Sequence, residues 1–102
     1  MAIKNVLLNA TETNLLTATA ETVILSMLFY NNDSASKTVT IYMYPSGGSA
    51  SATTTVLQKD IPPKETLIWS GGEKFILDTN DVVSAKADVA SKVSVCVGYK
   101  VM

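Results

Sequence analysis

Few side chains in this sequence could carry out chemistry. The chain of 102 residues contains no histidine and a single cysteine, Cys96. Histidine is the most frequent general base and metal ligand in proteins, so neither a Ser-His-Asp nor a Cys-His arrangement can be built from this chain. One cysteine without histidine also excludes a structural zinc site. We therefore expect no catalytic residue, no cofactor and no metal site.

The segment 78–81, which reads Asp-Thr-Asn-Asp, gathers two carboxylates. Calcium takes six to eight oxygen ligands, and an EF-hand-like loop would continue through a glycine to a distant glutamate. The sequence after Asp81 has no such continuation. We interpret 78–81 as a hydrophilic turn, with weak calcium binding as the alternative. Gly71 and Gly72 lack the spacing of a phosphate-binding loop.

Three aromatic residues, Tyr42, Tyr44 and Trp69, allow two interpretations. They could form a platform for a sugar ring. They could instead pack in the core or at an interface, because Trp69 ends an apolar strand and tyrosine suits a half-exposed sheet face. We favour packing. The alternative function is a carbohydrate- or receptor-binding module with Tyr42, Tyr44 or Trp69 as the ligand platform.

The charge pattern argues against nucleic acid as a partner. The formal net charge is −1, and all eight positive residues are lysines. Arginine is the residue best suited to bidentate recognition of phosphates and base edges, and the lysines are scattered among acids. No apolar run reaches the roughly 20 residues of a membrane-spanning helix, and a signal peptide is not expected. We expect synthesis in the cytoplasm and no membrane contact.

Alternating residue types predict β-strands. At the end of the chain, Val93, Val95 and Val97 alternate with Ser94 and Cys96, which is the pattern of a half-buried strand. Turn signals recur every 8–12 residues or so. We predict an all-β fold, a single antiparallel β-sandwich of jelly-roll type with about seven or eight short strands.

The predicted strands form one domain. Residues 1–20 are expected to hold an N-terminal strand or arm, and residues 21–102 the sandwich core. The loop 45–52, rich in glycine and serine, is the best candidate for disorder. The segments with strand character are 3–8, 13–18, 21–31, 38–44, 53–59, 66–69, 74–77, 82–88 and 93–101.

The strand 21–31 is predicted to be apolar on both faces. One face would consist of Val23, Leu25, Met27 and Phe29, and the other of Ile24, Leu28 and Tyr30. A strand with two apolar faces should be covered on both sides. We expect one face to lie in the core and the other to contact a neighbouring subunit. The expected interface residues are Ile3, Val6 and Leu8 in the arm and Ile24, Leu28 and Tyr30 in the strand.

The order of strands and turns from residue 21 to residue 101 resembles that of small β-sandwich virion proteins of tailed bacteriophages. Their hairpin with V-T-V-x-L-Y corresponds to V-T-I-Y-M-Y here. Their I-P-A-G-x-T corresponds to I-P-P-K-E-T, where Pro63 and Lys64 replace the alanine and the glycine. Their G-D-x-I-x-A corresponds to N-D-V-V-S-A, where Asn80 replaces the glycine. Their V-x-V-x-V-x-G corresponds to the valine-alternating last strand here, V-S-V-C-V-G-Y, in which the glycine comes one residue earlier.

This resemblance implies a function in assembly. Proteins of this kind decorate the head or belong to the neck or tail, often as trimers, and the resemblance brings no catalytic or binding residues with it. We expect a non-enzymatic structural protein that is located in the virion and synthesised in the host cytoplasm. Its expected partners are copies of itself, as a trimer, and other virion proteins.

Overall fold

The computed structural model describes residues 2–69 and 75–102, which form nine strands in two packed antiparallel sheets. The strands are β1 (Ala2–Leu7), β2 (Thr13–Thr17), β3 (Thr22–Asn31), β4 (Lys37–Tyr44), β5 (Thr55–Ile61), β6 (Thr66–Trp69), β7 (Phe75–Leu77), β8 (Val82–Ala87) and β9 (Val93–Val101).

The two sheets have nested pairing. The five-stranded sheet has the order β1-β9-β3-β6, with β7 also paired to β3, and the four-stranded sheet has the order β2-β8-β4-β5. Leaving β7 aside, the first strand pairs with the last, the second with the next to last, and so on inward. This is the pairing of a jelly roll, a two-sheet form of antiparallel sandwich. The predicted fold is confirmed, with nine strands.

Residues 2–20 belong to the sandwich. β1 pairs along its length with β9, and β2 pairs with β8 in the other sheet. Leu8 and Leu15 are fully buried in the shared core. This part of the chain is therefore a pair of strands and not an arm that extends from a separate core.

The connection between β4 and β5 contains hydrogen-bonded turns. The Gly48 amide donates to the Pro45 carbonyl at 2.9 Å, and the Thr54 hydroxyl donates to the Ser49 carbonyl at 2.9 Å. The Thr55 hydroxyl also donates to a carbonyl of this loop, that of Ser51. Because Thr53 and Thr54 belong to the turn, β5 begins two residues later than predicted. The predicted turn at Gly71 and Gly72 lies outside the described residues.

The core lies between the sheets and is filled by alternating residues of both. From the five-stranded sheet come Phe29, Val95 and Val97, and from the four-stranded sheet Ile41 and Val83, all 2% exposed or less. Burying an aliphatic or aromatic side chain of this size stabilises a fold by about 1.5–3 kcal/mol. The alternation predicted for the last strand is confirmed, because Val93, Val95 and Val97 all face the core.

A β-bulge in β3 changes which residues face the core. The register with β9 shifts between Ile24 and Ser26, so Leu25 is an extra residue. Ile24 therefore lies on the same side as Met27 and Phe29, and all three are buried. The prediction that Ile24 shares a face with Leu28 and Tyr30 is wrong, because an inserted residue inverts the alternation on one side of it.

The side chain of Asn31 ties the two sheets together at the end of β3. Its amide nitrogen donates to the Ala35 and Ile61 carbonyls at 2.9 Å each, and its oxygen accepts from the Asp33 amide at 2.9 Å. Asn31 belongs to the five-stranded sheet and Ile61 ends a strand of the other. Asn31 is 0% exposed. A buried amide with both ends paired is costly to replace, because the carbonyls it serves would lose their donors.

The turn that follows Asn31 is closed by an ion pair. The Lys37 ammonium lies 3.1 Å from an Asp33 carboxylate oxygen. The hydrogen bond from Lys37, with a second from the Ser34 amide, lowers the pKa of Asp33. The Asn31 amide and this ion pair together fix the path from β3 into β4.

We expect Asn31→Asp to destabilise the fold by more than about 2 kcal/mol, because a carboxylate cannot donate to the Ile61 and Ala35 carbonyls and would be buried. Urea unfolding followed by tryptophan fluorescence measures the loss. Asn32→Asp is the matched control at the exposed neighbouring position. Equal stability of the two variants would contradict a role for the Asn31 amide in joining the sheets.

Candidate assembly surface

The outer face of the five-stranded sheet, turned away from the core, carries a band of apolar side chains. Pairing places Leu28 of β3 next to Cys96 of β9 on one side and Ile68 of β6 on the other. Alternation puts further side chains on the same side. We call the following six residues the apolar face: Ile3, Leu7, Leu28, Tyr30, Ile68 and Ile76.

This apolar face is accessible. Ile68 is 64% exposed and Ile76 60%, and Leu28 in the middle is 39% exposed. Among the described residues, six of the ten large hydrophobic side chains that are exposed lie on this face. Lys100, near the end of β9, is a charged residue on the same side of the sheet. Exposed apolar side chains gathered on one face are a feature of interaction sites in folded proteins.

A shallow groove crosses the middle of the apolar face. The residues around it are uncharged, and Cys96 lies among them as a half-buried free thiol. The groove is lined by Asn5, Leu28, Tyr30, Thr66, Ser94, Val95 and Cys96.

The outer face of the four-stranded sheet is polar. On β4 the side chains of Thr38, Thr40, Tyr42 and Tyr44 alternate with those that face the core, and Ser84 and Lys86 lie beside them on β8. Thr40, Tyr42 and Ser84 are themselves largely covered by their neighbours. Glu12, from the loop between β1 and β2, reaches this face and accepts hydrogen bonds from the hydroxyls of Tyr44 and Ser84. The molecule therefore has one apolar and one polar outer surface.

The structure separates the six predicted interface residues into two groups. Ile3, Leu28 and Tyr30 lie on the apolar face, as an assembly surface requires. Ile24 and Leu8 are fully buried in the core, and Val6 is half-buried against it. Ile24 is displaced by the bulge. Leu8 and Val6 point inward because β1 is part of the sandwich, so these three cannot contact a partner directly.

The three aromatic residues of the alternative hypothesis do not come together. Tyr42 and Tyr44 lie on β4 in the four-stranded sheet, where Tyr42 is 7% exposed. Trp69 lies on β6 in the other sheet and packs against the core, opposite the buried Met27. A sugar platform made of all three is therefore not present. This separation supports the packing interpretation for Tyr42 and Trp69.

The acidic segment 78–81 is a closed turn. The Asp81 carboxylate accepts from the Asp78 amide at 2.9 Å, and the Asn80 amide donates to the Ala18 carbonyl at 2.6 Å. Within the described ranges there is no group of three or more histidine, cysteine, aspartate or glutamate residues that could hold a metal ion. These contacts match the interpretation of the segment as a hydrophilic turn that anchors β8 to β2.

Sequence reasoning missed Leu7, Ile68 and Ile76 as members of the apolar face. The signal for Ile68 was present, because in Thr66–Trp69 it alternates with Leu67 and Trp69, which pack on the core. Leu7 alternates with Val6 and Leu8 in the same way. Alternation alone indicates that these side chains point away from the core. Only the pairing partners of the strands show on which of the two outer faces they lie.

Comparisons with protein-family models, with curated proteins and with solved structures found no match to this chain. In the part of the chain that the structure describes, no helix is long and apolar enough to span a membrane.

We expect Glu12→Gln to lower the pKa of Tyr44. The hydrogen bond to Glu12 is the main cause that raises this pKa above its usual value of 10, and burial adds to it. The protonated phenol is the form favoured by folding, so its stabilising effect is complete below pH 10 and is lost as pH rises through the folded pKa. Tyrosinate absorbance against pH measures the change.

Tyr44→Phe identifies the contribution of Tyr44 to that titration. If Glu12→Gln leaves the alkaline part of the curve unchanged while Tyr44→Phe removes it, the Glu12 carboxylate is not the cause of the shift.

Proposed function

We propose that this chain is a non-enzymatic structural protein of a tailed-bacteriophage virion, either a head-decoration protein or a neck or tail component. It acts by symmetric assembly with copies of itself, as a trimer, and by contact with other virion proteins. It is synthesised in the host cytoplasm and incorporated into the particle. The observation that carries this proposal is the apolar face, which contrasts with the polar outer face of the other sheet.

Burial of the apolar face provides the driving force for assembly. Removing apolar surface from water stabilises a contact by roughly 25 cal/mol per Å². Part of that gain offsets the loss of rotational and translational freedom on association, so a single contact is weak. A closed symmetric assembly repeats the contact in every subunit, and a particle that presents many copies raises the effective concentration.

Two backbone conformations support the resemblance to phage virion proteins. Lys64 stands where the I-P-A-G-x-T pattern has glycine, and its φ is 59°. Asn80 stands where the G-D-x-I pattern has glycine, and its φ is 72°. Both residues therefore adopt the left-handed conformation that favours glycine. At these two positions the backbone of this chain therefore has the conformation that a glycine would favour.

The fold is compatible with the same proposal. Jelly rolls occur in viral capsid proteins, and they also occur in lectins. Fold alone does not decide between such functions, so the choice depends on the surfaces.

A carbohydrate- or receptor-binding module remains the alternative function. Its three-residue platform is not assembled, and the Tyr44 hydroxyl is engaged by Glu12. These features make the module the weaker proposal.

We expect Lys64→Gly to be more stable than Lys64→Ala by about 1 kcal/mol, because the left-handed conformation strains any residue with a Cβ. Both variants lose the hydrogen bond from the Lys64 ammonium to the Asn32 carbonyl, at 2.9 Å, so their difference isolates the backbone. Urea unfolding of the two proteins provides the measurement. Equal stability would remove this support for the glycine correspondence.

We expect the purified chain to be oligomeric and Ile68→Lys to weaken its assembly at least tenfold in dissociation constant, since a buried ammonium would replace an apolar contact. Multi-angle light scattering over a concentration series measures both proteins. Val56→Lys is the matched control, because Val56 is 47% exposed on β5 in the other sheet. A wild-type chain that stays monomeric at high concentration would rule out self-assembly.

The location in a virion needs its own measurement. Phage particles from a culture that expresses the chain are purified by density gradient, and the proteins of the particle are identified by mass spectrometry. We expect the chain in the particle fraction, at a copy number that is a multiple of its oligomer size. Its absence from particles, together with specific retention on a glycan array, would favour the binding module instead.

A further inference from the structure

The strands at the margins of the two sheets differ in how well they are protected against pairing with another chain. β6 and β7 are short, with four and three residues. β2 has five residues and a register shift. β5 also has a register shift, carries Lys59 and Asp60, and is followed by two prolines. Short strands, bulges, charges and prolines are the features by which natural proteins keep sheet edges from associating.

β1 is the least protected of these edges. Its six residues pair with β9 in one unbroken register, and its other side has no partner strand among the described residues. Five of the six residues are exposed, and Lys4 is the charged one. An edge of this kind presents a row of N–H and C=O groups with which another strand can pair.

The hydrogen bond that follows β1 shows which of its backbone groups are free. The Leu8 amide donates to the Val93 carbonyl at 2.9 Å, and these two residues are the next pair in the register of β1 with β9. Hydrogen-bonded pairs alternate along antiparallel strands, so the even-numbered residues of β1 bond to β9. The N–H and C=O groups of Ile3, Asn5 and Leu7 therefore point to the free edge.

The other side of β9 gives the same assignment. The Asn32 amide donates to the Lys92 carbonyl at 2.8 Å, and these two residues are the next pair in the register of β3 with β9. The even-numbered residues of β9 therefore bond to β3. Its odd-numbered residues bond to β1, as the hydrogen bond between Leu8 and Val93 requires.

The free groups of β1 form a self-complementary row. In an antiparallel pair with a two-fold axis through Asn5, Ile3 of each copy lies opposite Leu7 of the other, and the two Asn5 residues lie opposite each other. Every free N–H group then meets a free C=O group. The cross-strand neighbours are also compatible, because apolar pairs flank an amide pair and Lys4 lies opposite Val6.

Other registers of two β1 strands fit less well. An axis through Lys4 would place two ammonium groups directly opposite each other, which is destabilising. An axis through Val6 would place Ile3 opposite Asn9, which lies beyond the end of β1. Self-complementarity therefore selects the axis through Asn5.

We propose that β1 is a self-association edge, at which the β1 strands of two copies pair antiparallel about a two-fold axis through Asn5 and join their five-stranded sheets into one. The contact is isologous, so the occupant of the edge is a second copy of this chain. It uses backbone groups at the margin of the sheet and leaves the side chains of Ile3 and Leu7 on the outer face. It is therefore separate from assembly through the apolar face, and it would link two of the proposed trimers.

Amide hydrogen exchange tests the pairing residue by residue. The nitrogen-15-labelled chain is followed by NMR at low and high protein concentration. We expect exchange at Ile3, Asn5 and Leu7 to slow by about tenfold or more at the higher concentration, because their amides become paired. The amides of Lys4 and Val6, which donate to β9 in the single chain, are the internal reference for a paired strand.

The substitution Asn5→Lys tests whether the partner is a second β1. It places two ammonium groups opposite each other across the axis, at a position that is exposed in the single chain. We expect the protection of Ile3 and Leu7 to be lost. Asn14→Lys is the matched control, the same change at an exposed position of the edge strand β2, and we expect it to keep the protection.

Cross-linking tests the position of the axis and does not depend on the folding of Asn5→Lys. In Asn5→Cys/Cys96→Ala each chain has one thiol, because Cys96 is the single cysteine. We expect mild oxidation to give a disulfide-linked dimer. Asn14→Cys/Cys96→Ala is the matched control, and an equal yield of dimer from it would contradict pairing at Asn5.

Two results of the exchange experiment would overturn the inference. Fast exchange at Ile3, Asn5 and Leu7 at every concentration would show that the edge stays unpaired. Protection that survives Asn5→Lys would show that something other than a second β1 covers the edge. Neither result bears on Ile68, so the light-scattering comparison with Ile68→Lys still decides the assembly through the apolar face.

Discussion

The extra residue in β3 determines how this sandwich divides its apolar side chains between the inside and the outside. Without the bulge, Val23 and Leu25 would follow Met27 and Phe29 into the core, and Ile24 would lie outside with Leu28 and Tyr30. The register shift places Ile24 inside instead. β3 is central to the five-stranded sheet and pairs with β9, β6 and β7, and the bulge shifts its register with β9.

The sequence was sufficient to predict the fold class and most strand positions, because alternation and turn residues are local signals. Val93 to Val97 on β9 show the alternation directly. The bulge in β3 could not be predicted. In a continuous apolar run such as 23–25, the residue types are the same whether all ten residues of the strand are paired or nine are paired and one is inserted. The start of β5 was misplaced for a related reason: threonines favour strands, but Thr54 here uses its hydroxyl to close a turn.

The sequence alone predicted only some of the residues of the apolar face. Leu28 and Tyr30 were predicted to belong to it, because a strand with two apolar faces needs a covering on each side. Ile68 and Ile76 were not, because their membership depends on β6 and β7 pairing with β3 instead of with their neighbours in the chain. The burial of Tyr42 could not be predicted either. Its side chain points away from the core but is nearly buried, and no local sequence pattern indicates this.

The nested pairing of the jelly roll also sets the order in which the molecule can be completed. Among the described residues β1 pairs with β9, so β1 has to wait for the described strand that lies farthest from it in the sequence. Pairings of such high sequence separation are slow to form, since the entropy of closing the long loop is lost before the contact is gained. During that time Ile3 and Leu7 are attached to an unpaired strand. The time for which these apolar side chains stay uncovered during folding therefore depends on how fast β1 finds β9.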